Sequence, residues 1–250
     1  NSPLKKVGSK MFINFLSSEL KKWFRDPLMS FMFSYPLFLG LIGRYVLPWL
    51  SKSNGFDFQR YTDLIIVLFA TMIPMLYGAL IAFSLLDDRD DHILTAIQVT
   101  PLSLWEFLSL RLVIVLLLSF FATIFTIWFA NIANLPFIRI VQISFLTSLS
   151  APMVGLFINA LAQNKIEGFA IMKATGIIII LPVISLFFTD AKEFFFAFIP
   201  GFWPAKAISC LLNNKLDLPL TFTWYYLIGL VYVLALNYLS YKTFLWKNSN

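Results

Sequence analysis

The densest run of ionisable side chains in this chain is Asp87-Asp88-Arg89-Asp90-Asp91-His92. It holds four of the 13 acidic residues and is followed at once by the single histidine. Carboxylates beside an imidazole can serve metal binding or general acid–base work, but both need further groups to converge. None is in sight: His92 and Cys210 are each the only one of their kind, and neither G-x-S-x-G nor H-E-x-x-H occurs. No metal site and no catalytic residues are expected, and a lone cysteine excludes an intramolecular disulfide. None of the ten glycines precedes a lysine, so the G-x-x-x-x-G-K-[ST] phosphate loop is absent. The chain cannot bind ATP in the P-loop manner, and an energy source, if needed, must come from a partner or an ion gradient. The acidic run therefore reads as capping and docking charge, not as an active site.

The elements that position this run are apolar. The chain is 59% hydrophobic and 13% charged, with mean hydropathy +0.80, whereas soluble domains carry about 25% charged residues. That composition predicts an integral membrane protein. Uninterrupted apolar blocks, rather than short alternating segments, predict an all-α architecture and not a barrel. Of the 19 basic residues, six precede residue 26, which suits an anionic membrane leaflet better than nucleic acid. Residues 11–25 predict an amphipathic interfacial helix, with Phe12, Phe15, Leu16, Leu20, Trp23 and Phe24 opposite a basic face; packing of the same helix on its own protein is the plainer reading. Asp26-Pro27 ends it.

Six transmembrane helices follow, each judged against roughly 20 residues per crossing: 28–50, 64–86, 104–130, 140–163, 166–188 and 223–245. This divides the chain into a tail and amphipathic helix (1–27) and a six-helix domain (28–250). An even count puts both termini on one side. The basic start, with Lys242 and Lys247, makes that side the cytoplasm of a multi-pass plasma-membrane protein. The tryptophans are expected at headgroup level at span ends. Residues 189–222 form an outer connection whose apolar stretch Phe194–Ala205 is too short to cross and is broken by Pro200, Gly201 and Pro204. It reads as a re-entrant hairpin or a packed outer loop.

Residues 87–103 then form a cytoplasmic loop. Asp90 and Asp91 suit the start of a short helix whose edge is Ile93, Leu94 and Ile97, with Thr95 between them. Thr100-Pro101 stops it, and Ser103-x-x-Glu106 is a capping box for the third span. An apolar knob rimmed by charge is how a docking element looks. Within the spans, Arg111 and Lys173 are the notable charges; Lys173 can snorkel, pair with Glu167 or Glu106, or meet a substrate. The absence of acids near the midplane argues against proton or sodium coupling.

These motifs, in their order, resemble the permease subunits of ABC-2 type exporters, in the drug-export branch that includes fluoroquinolone-export permeases. Glu19-Leu20-Lys21-Lys22-Trp23-Phe24-Arg25-Asp26-Pro27 resembles the family's connecting helix, with Glu19, Lys22, Trp23 and Arg25 as its marked residues. Asp88-Arg89-Asp90 followed by Thr100-Pro101-Leu102-Ser103 resembles the coupling loop, although Asp91-His92-Ile93 stands where the family often has a glycine turn. Asn164-Lys165-Ile166-Glu167-Gly168 with Met172-Lys173, and Trp203-Pro204-Ala205, are similar to later family segments. The resemblance implies a permease dimer, as homo- or heterodimer, with separate ABC ATPase subunits that hold ATP and Mg. It implies coupling through Asp87, Asp88, Arg89, Asp90, Asp91, His92, Ile93, Leu94, Thr95 and Ile97. The second and fifth spans would line the path, with Met72, Met75, Tyr77, Asn159, Lys173 and Thr175 facing an amphipathic drug, peptide or lipid. A membrane assembly or immunity protein without transport is the alternative from another class.

Overall fold

The computed structural model describes residues 17–55, 57–91, 104–212 and 218–249. All its regular elements are helical among the described residues. Helix α1 covers residues 17–25 and bends at Asp26. Asp26 then caps α2 (Pro27–Leu41), its Oδ1 accepting from the N–H groups of Leu28 and Met29 at 2.8 and 3.2 Å. A π-helical turn (Ile42–Val46) carries α2 into α3 (Leu47–Asn54), which ends at Gly55 with φ +66°, a conformation that suits glycine. There follow α4 (Thr62–Asp90), α5 (Leu104–Ala130), α6 (Phe137–Ser148) and α7 (Ser150–Leu161), the last two joined through Leu149. Then come α8 (Lys165–Ala174), α9 (Ile177–Ser185), a 3-10 turn (Ala191–Phe196), α10 (Phe202–Leu212) and α11 (Phe222–Ser249).

Among the described residues, five helical stretches are long and apolar enough to cross a membrane: Pro27–Ser53, Phe58–Asp90, Glu106–Ala130, Phe137–Leu161 and Phe222–Phe244. The protein is therefore a multi-pass membrane protein. The expected crossing at 166–188 is not a single helix; it is α8 and α9, of 10 and 9 residues, broken at Thr175-Gly176. Two local causes act there. Thr175 turns its Oγ1 back onto the Met172 carbonyl at 2.7 Å, and Gly176 follows with low helix propensity. Pro182 adds a missing N–H in α9.

Helix α4 is the centre of the bundle and packs most extensively on α7. The seam is built on glycine. A Cβ at Gly78 would stand 2.5 Å from the Ala151 carbonyl oxygen, and one at Gly155 would stand 2.5 Å from Cγ2 of Ile81. Only small residues let two backbones approach so closely, and in lipid such packing supplies much of the association. Asn159 closes the seam by donating to the Ala82 carbonyl at 3.0 Å.

At the end of the bundle away from α1, residues 189–212 fold inward. Glu193 and Lys206 are fully buried and paired at 2.7 Å, and the hydroxyl of buried Tyr225 donates to Glu193. Lys206 also donates to the Phe188 carbonyl, and Tyr232 to that of Phe198. A Cβ at Gly229 would touch Trp203, and Pro200 borders a cleft with Met153, Phe157 and Leu236.

The tryptophans correct one expectation. Trp49, Trp128 and Trp224 are exposed at 62%, 59% and 58%, as headgroup anchors should be, but Trp23 and Trp203 are buried at 0% and 7%. Their rings fill the core.

Candidate functional site

The acidic run does not begin a loop. Helix α4 continues four residues beyond the expected end at Leu86, through Asp87, Asp88, Arg89 and Asp90. Carboxylates at a helix C-terminus oppose the helix dipole, by about 0.3–1 kcal/mol each. The cations packed round that last turn offset this. Lys22 of α1 reaches Asp88 at 2.6 Å and the Ser84 carbonyl at 3.1 Å. Arg111 of α5 pairs with Glu19 of α1 at 2.5 Å and with the second oxygen of Asp88, while stacking over Phe107 at 4.4 Å. Lys165 of α8 bridges Asp26 at 2.9 Å and Asp87 at 3.2 Å. Arg89 donates to the Ala162 carbonyl at 3.2 Å.

Three cations (Lys22, Arg111, Lys165) thus hold four carboxylates (Glu19, Asp26, Asp87, Asp88). The inner part is dry: Glu19, Asp88 and Arg111 are 5%, 2% and 3% exposed. Charges so placed are tolerable only while paired. The outer pair is wetter. Burial pushes the Asp26 carboxyl up, but the Lys165 ammonium and the Met29 and Leu28 N–H groups outweigh it and hold the group below its ordinary value. Lys165 is the mirror case: burial lowers it, and Asp26 and Asp87 more than compensate and raise it. Among the described residues no group of three or more His, Cys, Asp or Glu could hold a metal ion. The arrangement is a mechanical tie between α1, α4, α5 and α8.

The coupling residues read from the sequence therefore divide. Asp88 is buried, Asp87 and Arg89 are half-buried and engaged inside the chain, and Asp90 and Asp91 are exposed. Asp90 ends α4 and Asp91 follows it, and the short helix expected after them lies outside the described residues. His92, Ile93, Leu94, Thr95 and Ile97 lie outside the described residues, as does Ser103 of the capping box. In the connecting helix, Glu19 and Trp23 are buried, Lys22 is half-buried and Arg25 exposed. This face packs on the protein itself. The two residues that complete the tie, Arg111 and Lys165, had no partner that the sequence could name. The available signal was Arg111 itself, a guanidinium inside a 27-residue apolar helix.

The candidate path residues are scattered. Tyr77 donates to the Phe33 carbonyl at 3.1 Å, and Asn159 and Thr175 are buried with backbone partners. Met72 and Met75 are half-buried. Met75 lines a small cavity with Thr71, Thr147, Ser150 and Pro200. Lys173 is exposed and has no acidic partner among the described residues. Glu167 instead caps α8: it closes a reciprocal box with Asn164, its N–H on Asn164 Oδ1 at 3.0 Å and its carboxylate on the Gln163 N–H at 2.8 Å.

Residues 19–241 match the family described as Rv2686c-like, fluoroquinolones export permease protein Rv2686c-like. The chain belongs to this family. Two relatives from Mycobacterium tuberculosis are named fluoroquinolones export permease protein: MT2760 from strain CDC 1551 / Oshkosh and Rv2686c from strain ATCC 25618 / H37Rv. Each is 29% identical over 252 residues, covering 97% of this chain and 97% of the relative. The resemblance to fluoroquinolone-export permeases carried by the sequence motifs is borne out. No solved structure matches. Within this Rv2686c-like chain the matched region starts at Glu19, the first residue of the buried tie.

Proposed function

We propose that this chain is the permease subunit of an ATP-driven exporter in the plasma membrane, moving an amphipathic, drug-like substrate outward. It works as a dimer with separate ABC ATPase subunits that bind ATP and Mg, and both termini are cytoplasmic. The observation that carries this reading is the buried tie. It fastens α1 to the last turn of α4, immediately before residues 92–103, so a push on that segment is transmitted to α4 and α5 together. The missing phosphate loop supports a push that comes from another chain. The relatives' names supply the substrate class.

In this reading α8 and α9 together make the sixth crossing, broken at Thr175-Gly176, and residues 189–212 form a re-entrant segment closing the outer side. Backbone irregularity at that depth is tolerated where protein surrounds it, which fits the burial of Phe202 to Ser209. Half-buried Met72 and Met75 and exposed Lys173 are the candidate path residues free to meet substrate; Tyr77, Asn159 and Thr175 hold the walls. Asp90 and Asp91 are the docking charges, because Asp88 is spent inside the tie. Reversing both exposed charges (Asp90→Lys with Asp91→Lys) should abolish co-purification with a co-expressed ABC ATPase subunit, while leaving the protein folded. Retained co-purification and retained ATPase stimulation would sink the docking assignment. Absence of any complex with the unaltered chain would favour a non-transporting assembly or immunity role.

A further inference from the structure

Where α1 turns into α2 lies an open groove of about 690 Å³, lined by Ser18, Lys21, Lys22, Arg25, Asp26 and Asp87 among others. Its acids are occupied: Asp26 and Asp87 both hold Lys165, and Lys22 is committed to Asp88. Lys21 and Arg25 are left over. They stand four residues apart on one face of α1, both are exposed, and neither enters an ion pair among the described residues. Like charges at this spacing repel across a helix unless an anion lies between them.

An apolar run begins beside these cations. Phe24, 56% exposed, packs edge-on against Phe33 of α2 at 5.0 Å. On another face of α2, Phe31, also 56% exposed, meets Tyr35 and Phe38 at 6.1 and 6.0 Å. These rings belong to, or lean on, the first membrane-crossing helix. A free phosphate would use the cations and leave the rings idle.

We infer that the groove is a headgroup site for an anionic phospholipid, with the phosphate between Lys21 and Arg25 and the acyl chains along Phe24, Phe31 and Phe38. A lipid seated there would bridge α1 to α2 beside the outer pairs of the tie, and so hold the joint at Asp26-Pro27. The assignment does not depend on transport; it needs only the membrane placement.

The test is native mass spectrometry of the purified full chain with equal phosphatidylglycerol and phosphatidylcholine. Each cation near an anionic lipid surface is worth about fivefold in binding, so the pair should give roughly 30-fold retention of phosphatidylglycerol over phosphatidylcholine. Lys21→Gln with Arg25→Gln should remove that preference. The charge-preserving pair Lys21→Arg with Arg25→Lys should keep it, and so should Lys242→Gln on exposed α11 surface. Equal retention of the two lipids, or equal loss in Lys242→Gln, overturns the site. Displacement of phosphatidylglycerol by an equal concentration of inorganic phosphate assigns the groove to free phosphate and overturns the lipid. Loss in the charge-preserving pair would mean that α1 geometry, not charge, selects the lipid, and overturns the inference as well.

Discussion

Replacing Arg111 with methionine is the perturbation that loads the structure most directly. Arg111 is 3% exposed and serves two carboxylates on two other helices, Glu19 on α1 and Asp88 on α4. Methionine matches the length of its stem but strands Glu19, which is 5% exposed. Asp88 keeps Lys22 at 2.6 Å and suffers less. Removing one partner of a buried ion pair costs about 3–5 kcal/mol. In a chain of this size each kcal/mol moves Tm by about 2–4 °C, so a fall of about 6–20 °C is expected, near the lower end because Lys22 remains. Arg111→Lys should fall between, since an ammonium restores charge without the two-pronged fork. Adding Glu19→Leu to Arg111→Met should recover part of the loss, because the stranded carboxylate is gone; a coupling of about 0.5–3 kcal/mol is expected. The assay is thermal denaturation in nanodiscs, followed by the loss of soluble monomer on heating. Arg111→Met within about 2 °C of the unaltered protein, or strict additivity with Glu19→Leu, would refute the tie.

The wetter pair sets a pH signature. Asp26 lies below the ordinary value of 3.8, so its contribution is full above that value and is lost as pH falls through the lower folded one. Lys165 lies above 10.5, so its contribution is full below that value and is lost as pH rises through the higher folded one. The Tm difference between the unaltered protein and Lys165→Met should therefore be flat from about pH 5 to 9 and shrink below about pH 4; a difference that varies between pH 6 and 8 would contradict this. At the helix seam, Gly155→Leu drives a side chain into Ile81 and should cost more than the usual 1–3 kcal/mol of overpacking, read as lost monodisperse protein on gel filtration. At the far end, Lys206→Met leaves fully buried Glu193 with the Tyr225 hydroxyl but without its cation and should loosen residues 189–212, seen as faster amide exchange there, while Lys206→Met with Glu193→Leu should largely restore protection.

Much of this architecture is legible from composition and period. Apolar blocks of crossing length fix where α2–α3, α4, α5, α6–α7 and α11 run, since hydropathy is a one-dimensional property. Three things are not one-dimensional. The break at Thr175-Gly176 depends on a threonine hydroxyl choosing its own backbone. The extension of α4 past Leu86 depends on cations from three other helices neutralising its acidic last turn. The burial of Trp23 and Trp203 depends on which neighbours arrive, and hydropathy gives a tryptophan the same score at a headgroup as in a core. The site was half visible for the same reason. Asp87 to Asp91 draw the eye as a cluster, but the partners that decide which of them are available, Arg111 and Lys165, lie 23 and 77 residues beyond Asp88.

The central claim is that this chain forms a path whose opening is driven by ATP on a partner. The most direct measurement is flux of a fluoroquinolone into inside-out proteoliposomes that hold this chain and a co-expressed ABC ATPase subunit, with ATP supplied outside. Accumulation that requires ATP and the ATPase, and that collapses in Arg111→Met at a temperature where the variant is still folded, is the expected result. Accumulation that proceeds without ATP, or that follows an imposed proton gradient instead, would contradict it.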